Sequence, residues 1–144
     1  ELARLCQAEG WAVQAILTEA AQQFVTPLTL ATLTGNPVLT SLWPASPESH
    51  PGVDVEHIDV AQRHHALVIA PATAHTLAKL AHGLADDYLS TTYLAFTGPV
   101  VLAPAMNTHM WEHPATVANL ATLRARGHHI VEPGSGPLAC GTVG

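Results

Sequence analysis

The sequence predicts an α/β domain of three layers, Rossmann-like or flavodoxin-like, with a mainly parallel sheet. Three observations carry that prediction. Short apolar runs at residues 11–17 (WAVQAIL), 66–70 (ALVIA), 100–103 (VVLA) and 129–131 (HIV) read as strands. Helical segments separate one run from the next, and such alternation implies right-handed crossovers between parallel strands. The runs are continuous rather than alternating, as expected of strands covered on both faces.

The elements follow in order. Residues 1–9 place apolar side chains at Leu2, Ala3, Leu5 and Cys6 and stop at Gly10, which suits the end of an amphipathic helix. The first strand, 11–17, leads to a helical stretch over 18–24, and Pro27 opens another that Gly35 ends. Residues 43–52 carry Pro44, Pro47 and Pro51 among Ser, Glu and His and read as a surface loop. A helix is expected over 54–65 before the second strand, and two glycine-punctuated helices over 73–82 and 86–96 before the third. Pro114 starts a helix that Gly127 closes, and the fourth strand follows. Residues 133–144 hold four Gly and two Pro and read as a loop.

At 144 residues the chain reads as a single domain, residues 1–144, large enough for one core. Apolar residues make up 48% and charged residues 11%, so part of the apolar surface is expected to be covered by another subunit. The formal charge of −6, with five Lys and Arg, argues against nucleic acid, whose phosphates need a cationic face. No apolar run approaches the ~18 residues of a membrane span. The opening is a charged, helix-like segment rather than a leader peptide. Cys6 and Cys140 lie at opposite ends of the chain, a pattern of reduced thiols in a cytoplasmic protein rather than of a disulfide framework.

In sheets of this kind ligands bind outside the carboxyl ends of the strands. Thr18 follows the first strand, Thr73 the second, Ala105, Met106 and Asn107 the third, and the loop with Cys140 the fourth. Taken singly, Thr18 and Thr73 are helix caps. Three such edges converging favour a ligand with a phosphate or a polar ring edge. His109 and His113 have a spacing that can hold zinc on a helix. However, Pro114 pushes His113 out of the helical region, and Met110 stands where a zinc protease motif needs glutamate, so no metal is assigned. The pairs His64–His65 and His128–His129 read as surface or strand-edge residues.

These residues also carry a resemblance. PAMNTHMW (104–111) resembles the PxMNxxMW signature of the homo-oligomeric flavin-containing cysteine decarboxylases. APATAHTLAK (70–79) followed by GLADD (83–87), HID (57–59), LACG (138–141) and TEAAQQFVTPLTL (18–30) resemble that family's other stretches, in order along the chain. Having both Asn107 and Cys140 resembles the branch acting on 4′-phosphopantothenoylcysteine; the lantibiotic branch lacks the flap cysteine. Two departures stand out. The family's opening strand with its glycine-serine loop and its closing glycine-arginine stretch are not found, so the chain reads as a piece of a larger polypeptide. His75 stands where asparagine is usual.

The resemblance implies FMN as cofactor, with Thr18, Phe24, Thr73, Thr76, Ala105 and Met106 toward it. It implies a thiol substrate held by Asn107 and Ala139, a homo-oligomer built on trimers, and a synthetase domain as partner or fusion. It also implies roles. A cysteine carboxylate loses CO2 only after its thiol carbon is oxidised, and the flavin takes that hydride. His57 would help remove the thiol proton. Asn107 would hold the carboxylate without the full counter-charge that would favour the ground state. Cys140, on a loop that is a poor place to bury a thiol, would return the final proton. The alternatives are an oxidative peptidyl-cysteine decarboxylase that stops at the ene-thiol, and a non-catalytic flavoprotein subunit.

Overall fold

The computed structural model describes residues 1–43 and 56–134. Its centre is a three-stranded parallel sheet in the order β1 (Leu67–Ala72), β2 (Val100–Pro104) and β3 (His129–Ile130). Leu67 pairs with Val100, Ile69 with Leu102, and Ala72 with Pro104, with a register shift between Ile69 and Ala72. Pro71 sits in that irregular stretch. It has no N–H for a ladder, and β1 is an edge of this sheet, where a proline is tolerated.

Helices flank the strands, and their ends follow from sequence. α4 (Ala74–His82) starts at Thr73 and ends on Gly83, whose φ of 68° puts it in the left-handed region that glycine enters without cost. α5 (Tyr88–Ala95) starts at Asp87, whose side chain accepts from the Ser90 N–H while the Ser90 hydroxyl accepts from the Asp87 N–H. α7 (Pro114–Ala125) has proline at its first position. α3 (Glu56–Arg63) packs on α5, and α4 packs on α7. Ile69, Leu77, Leu80, Leu102, Leu120 and Leu123 form the core. Leu77, Leu102 and Leu123 are fully buried, each contributing about 1.5–3 kcal/mol of transfer free energy.

The opening of the chain departs from expectation. α1 (Leu2–Ala8) and α2 (Pro27–Thr34) are present and pack together. The strand expected over 11–17 is reduced to one parallel bridge, Ile16 to Leu39. The reason is local. Pro37 has no N–H, and side-chain amides take over the pairing: Gln14 donates to the Pro37 carbonyl and Asn36 to the Val13 carbonyl at 2.8 Å. The helix expected over 18–24 is only a 3₁₀ turn, Ala21–Gln23. Pro27 holds Thr26 extended (ψ 149°), so the run from Thr18 has no room for a stable α-helix. The loops expected over 43–52 and 133–144 fall largely outside the described residues.

Candidate functional site

The carboxyl ends of β1 and β2 are tied together. The Ala105 N–H donates to the Ala72 carbonyl at 3.3 Å, just beyond the Ala72–Pro104 pair. Thr73 leaves one strand and Ala105, Met106 and Asn107 leave the other, so the two segments share one edge of the sheet. Thr73 caps α4, accepting from the Thr76 N–H at 3.2 Å, and its hydroxyl lies 3.0 Å from that of Thr76. Asn107 caps α6 (Thr108–Trp111) by accepting from the His109 N–H at 2.9 Å. Its amide NH2 makes no hydrogen bond among the described residues. The cap and the donor are therefore different atoms of one side chain. Met106 is half-buried against the core, as is Trp111.

Behind this edge, Lys79 of α4 bonds both Asp86 and Asp87 at 2.5 Å, with its side chain 12% exposed. Burial pulls the Lys79 amine down, but its bonds to the two carboxylates outweigh that and hold it above the ordinary lysine value. Burial likewise pushes Asp87 up, and the bonds from Lys79 and Ser90 outweigh it, leaving the carboxyl below its ordinary value. Because Asp87 also caps α5, one carboxylate joins the two helices.

The other expected site residues are more scattered. His57 is half-buried in the first turn of α3. Only residues 64–66 separate α3 from β1, so the chain turns back there and His57 is carried away from the amino end of β1. Thr18 follows the Ile16–Leu39 bridge, outside the three-stranded sheet, and its hydroxyl accepts from the Ala21 N–H at 3.2 Å. Phe24 is 92% exposed. Ala139 and Cys140 lie outside the described residues. The structure thus brings together Thr73, Thr76, Ala105, Met106 and Asn107, and puts the break between His109 and His113 where Pro114 requires it. His113 caps α7 through its ring nitrogen, which accepts from the Ala115 N–H.

Sequence reading missed three polar arrangements: the Lys79 pair of ion bonds, the Tyr93–His128 bond of 2.6 Å, and the Arg126 guanidinium on the last turn of α4. A signal existed only for the first, in the spacing Asp87-x-x-Ser90 at a helix start. The other two join residues 35 and about 46 positions apart, which periodicity does not report.

Fold and site define a class: a parallel α/β domain whose ligand edge gathers hydroxyls, an uncommitted amide and apolar cover at adjacent strand ends. The flavoprotein family model matches residues 2–144, and the chain belongs to that family. It is 47% identical over 141 residues, 98% of its length, to the coenzyme A biosynthesis bifunctional protein CoaBC of Bacillus subtilis (strain 168). The match takes in 34% of that protein, so the chain spans about a third of the curated relatives it resembles. Among solved structures it superposes with a TM-score of 0.82 on a PPC decarboxylase variant complexed with pantothenoylaminoethenethiol, at 33% identity over 99% of this chain and 79% of that one. The FMN-dependent cysteine decarboxylase TvaF from thioviridamide biosynthesis gives the same TM-score at 38% identity over 92% and 79%.

Proposed function

We propose that the chain is the FMN-dependent carboxy-lyase part of a longer protein, converting 4′-phosphopantothenoylcysteine to 4′-phosphopantetheine in coenzyme A biosynthesis. The observation that carries the reading is that the Thr73–Thr76 hydroxyls and the Asn107 amide, which is without a partner among the described residues, follow two joined strand ends. These groups suit FMN: hydroxyls for phosphate or a polar ring edge, and Met106 as apolar cover. Thr18 and Phe24 would complete the cradle. When bound, FMN supplies a hydride acceptor and donor.

The protein's own residues do the rest. His57 takes up the substrate thiol proton as the thiol carbon is oxidised. Asn107 and Ala139 orient the carboxylate; a neutral amide holds it without the full salt bridge that would stabilise the ground state against CO2 loss. Cys140 would supply the proton, and bound FMN the returned hydride, that together convert the ene-thiolate to the saturated thiol. The same reading places the protein in the cytoplasm as a homo-oligomer built on trimers, with a synthetase domain on the same polypeptide. The bifunctional names of the curated relatives and the exposure of Phe24 (92%) and Trp43 (81%) support it.

The test is made on the full-length protein. It should purify yellow or take up FMN, and should release CO2 from 4′-phosphopantothenoylcysteine. Cys140→Ser should still release CO2 but accumulate the oxidised ene-thiol, because serine is too weak an acid to replace a thiol. His57→Asn should keep its flavin yet fail to bleach it on adding substrate. A protein that stays colourless with FMN, or a Cys140→Ser variant giving saturated product at the normal rate, would overturn the assignment.

A further inference from the structure

A further concavity, more apolar than polar, lies at the other end of the sheet, by the amino ends of β2 and β3. It has a volume of about 360 Å³, at the lower end of the roughly 300–1,000 Å³ typical of small-molecule sites. Its wall comes from the last turn of α4 (His82), from α5 and the residue after it (Tyr93, Leu94, Phe96), and from the turn between α7 and β3 (Arg126, His128). No acidic side chain lines it.

Arg126 is the unusual group. Its Nη1 and Nη2 donate to the Leu80 and Ala81 carbonyls at 2.7 and 2.6 Å, which fixes the guanidinium against the α4 terminus. A guanidinium has five N–H groups, so three remain, among them the side-on pair that fits the two oxygens of a carboxylate. Arg63, Lys79 and Arg124 each have a carboxylate partner; Arg4 and Arg126 have none among the described residues, and of these two only Arg126 is held in place by hydrogen bonds. In a chain of net charge −6, a fixed cation without a counter-charge is the exception. Beside it, His128 is bonded to the Tyr93 hydroxyl, and the two rings meet edge to face at 5.4 Å. The half-buried Phe96 and the half-exposed Leu94 form an apolar wall.

We propose that this groove binds a small planar organic carboxylate, held side-on by Arg126 with its apolar body against Phe96 and Leu94. The planar fork matches a carboxylate, and one fixed cation beside an apolar wall suits a monoanion with a ring better than a phosphate dianion. The ligand seats beside the Tyr93–His128 pair, so its arrival is felt by the His128 ring.

Benzoate is the probe, titrated into the purified protein while the His128 ring signals are followed by NMR. The expected result is a saturable shift with a dissociation constant of ~1 mM. Arg126→Gln should weaken binding by about tenfold or more. Leu94→Glu, at an exposed position that leaves folding alone, should do the same by placing a carboxylate on the rim. Arg124→Gln, two residues away in the last turn of α7 but paired with Glu132, should bind as the wild type does. An unmoved His128 signal, normal binding by Leu94→Glu, or equal loss in Arg124→Gln would each overturn the proposal. No flavin or decarboxylation enters these readouts, so the groove and the proposed function stand or fall separately.

Discussion

Residues 1–43 and residues 56–134 are built on different principles. The second region closes on itself: Leu77, Leu80, Leu102, Leu120 and Leu123 are at most 2% exposed, and the strands pair directly. The first region buries only Leu17 and Thr34, and leaves Trp11, Phe24, Leu28 and Trp43 between 63% and 92% exposed. Its links are one parallel bridge, with the Leu17 N–H donating to the Leu39 carbonyl and the Leu39 N–H to the Ala15 carbonyl, and side-chain amides from Gln14 to Pro37 and Asn36 to Val13, rather than an extended ladder. The body holds the fold, and the opening segment leaves large apolar groups exposed.

The contrast is broken most directly by truncation on each side. Leu102→Ala removes a side chain with no exposure and should cost about 3 kcal/mol in urea unfolding, from lost transfer free energy and the cavity left behind. Phe24→Ala should cost less than ~0.5 kcal/mol in the isolated chain, because the ring touches mostly solvent. In the full-length protein the same variant should lose FMN affinity, read by flavin fluorescence on dilution. Equal destabilisation by both variants in the isolated chain would erase the distinction between the regions.

A second test sharpens it within the body, at Asn107, which caps α6 and on the proposed function also holds the substrate carboxylate. Asn107→Asp keeps an oxygen to cap α6, loses the amide donors and adds a charge where the proposed function puts that carboxylate. Its unfolding midpoint should stay near that of the wild type, since Asp and Asn cap about equally well. Decarboxylation should fall by about 10²-fold, the usual scale for removing a preorganised donor. A variant that loses stability and keeps activity would make Asn107 a cap and nothing more.

This division explains what the sequence made legible. The body's elements were readable because their punctuation is local: Thr73 and Gly83 bound α4, Pro114 starts α7, and apolar runs mark β1 and β2. Thr73 and Asn107 were legible as site candidates for the same reason, since each directly follows such a run. The strand at 11–17 was misread because an apolar run reports burial, not pairing, and its partner carries Pro37. Arg126 was passed over, and His128 was read as a surface or strand-edge residue, because their partners lie far along the chain. The His57 and Cys140 roles rest on family resemblance, and no local pattern supplies them.

A third test addresses the Lys79 bonds to Asp86 and Asp87. Lys79→Met leaves two carboxylates facing each other and should cost about 1 kcal/mol, modest because Asp86 is mostly exposed. The pH dependence has a definite sign. The Lys79 amine is held above its ordinary value, so its contribution is full below the ordinary lysine range and is lost as pH rises through the folded value. The Asp87 carboxyl is held below its ordinary value, so its contribution is present above that value and is lost in acid. Lys79→Met should therefore flatten the alkaline limb of the stability profile. An unchanged limb would show that the bonds add nothing.

The last test concerns His128, where body and solvent meet. Burial, and then the nearby Arg126 charge, hold its ring below the ordinary histidine value. The folded state therefore binds this proton less readily than the unfolded chain does. Stability from His128 is present above pH 6.5, the unperturbed value, and is lost as pH falls toward the folded value. The chain has ten histidines, so the raw midpoint does not isolate one ring. The difference between wild type and His128→Gln does, because the other nine cancel. Glutamine retains an amide that can reach the Tyr93 hydroxyl, which limits the packing change. Urea midpoints at pH 7.5 and 5.5 should fall less in His128→Gln than in the wild type. Arg126→Gln, which removes the second cause of the shift, should fall between them. Parallel falls in all three would place the acid sensitivity of the body elsewhere than at this pair.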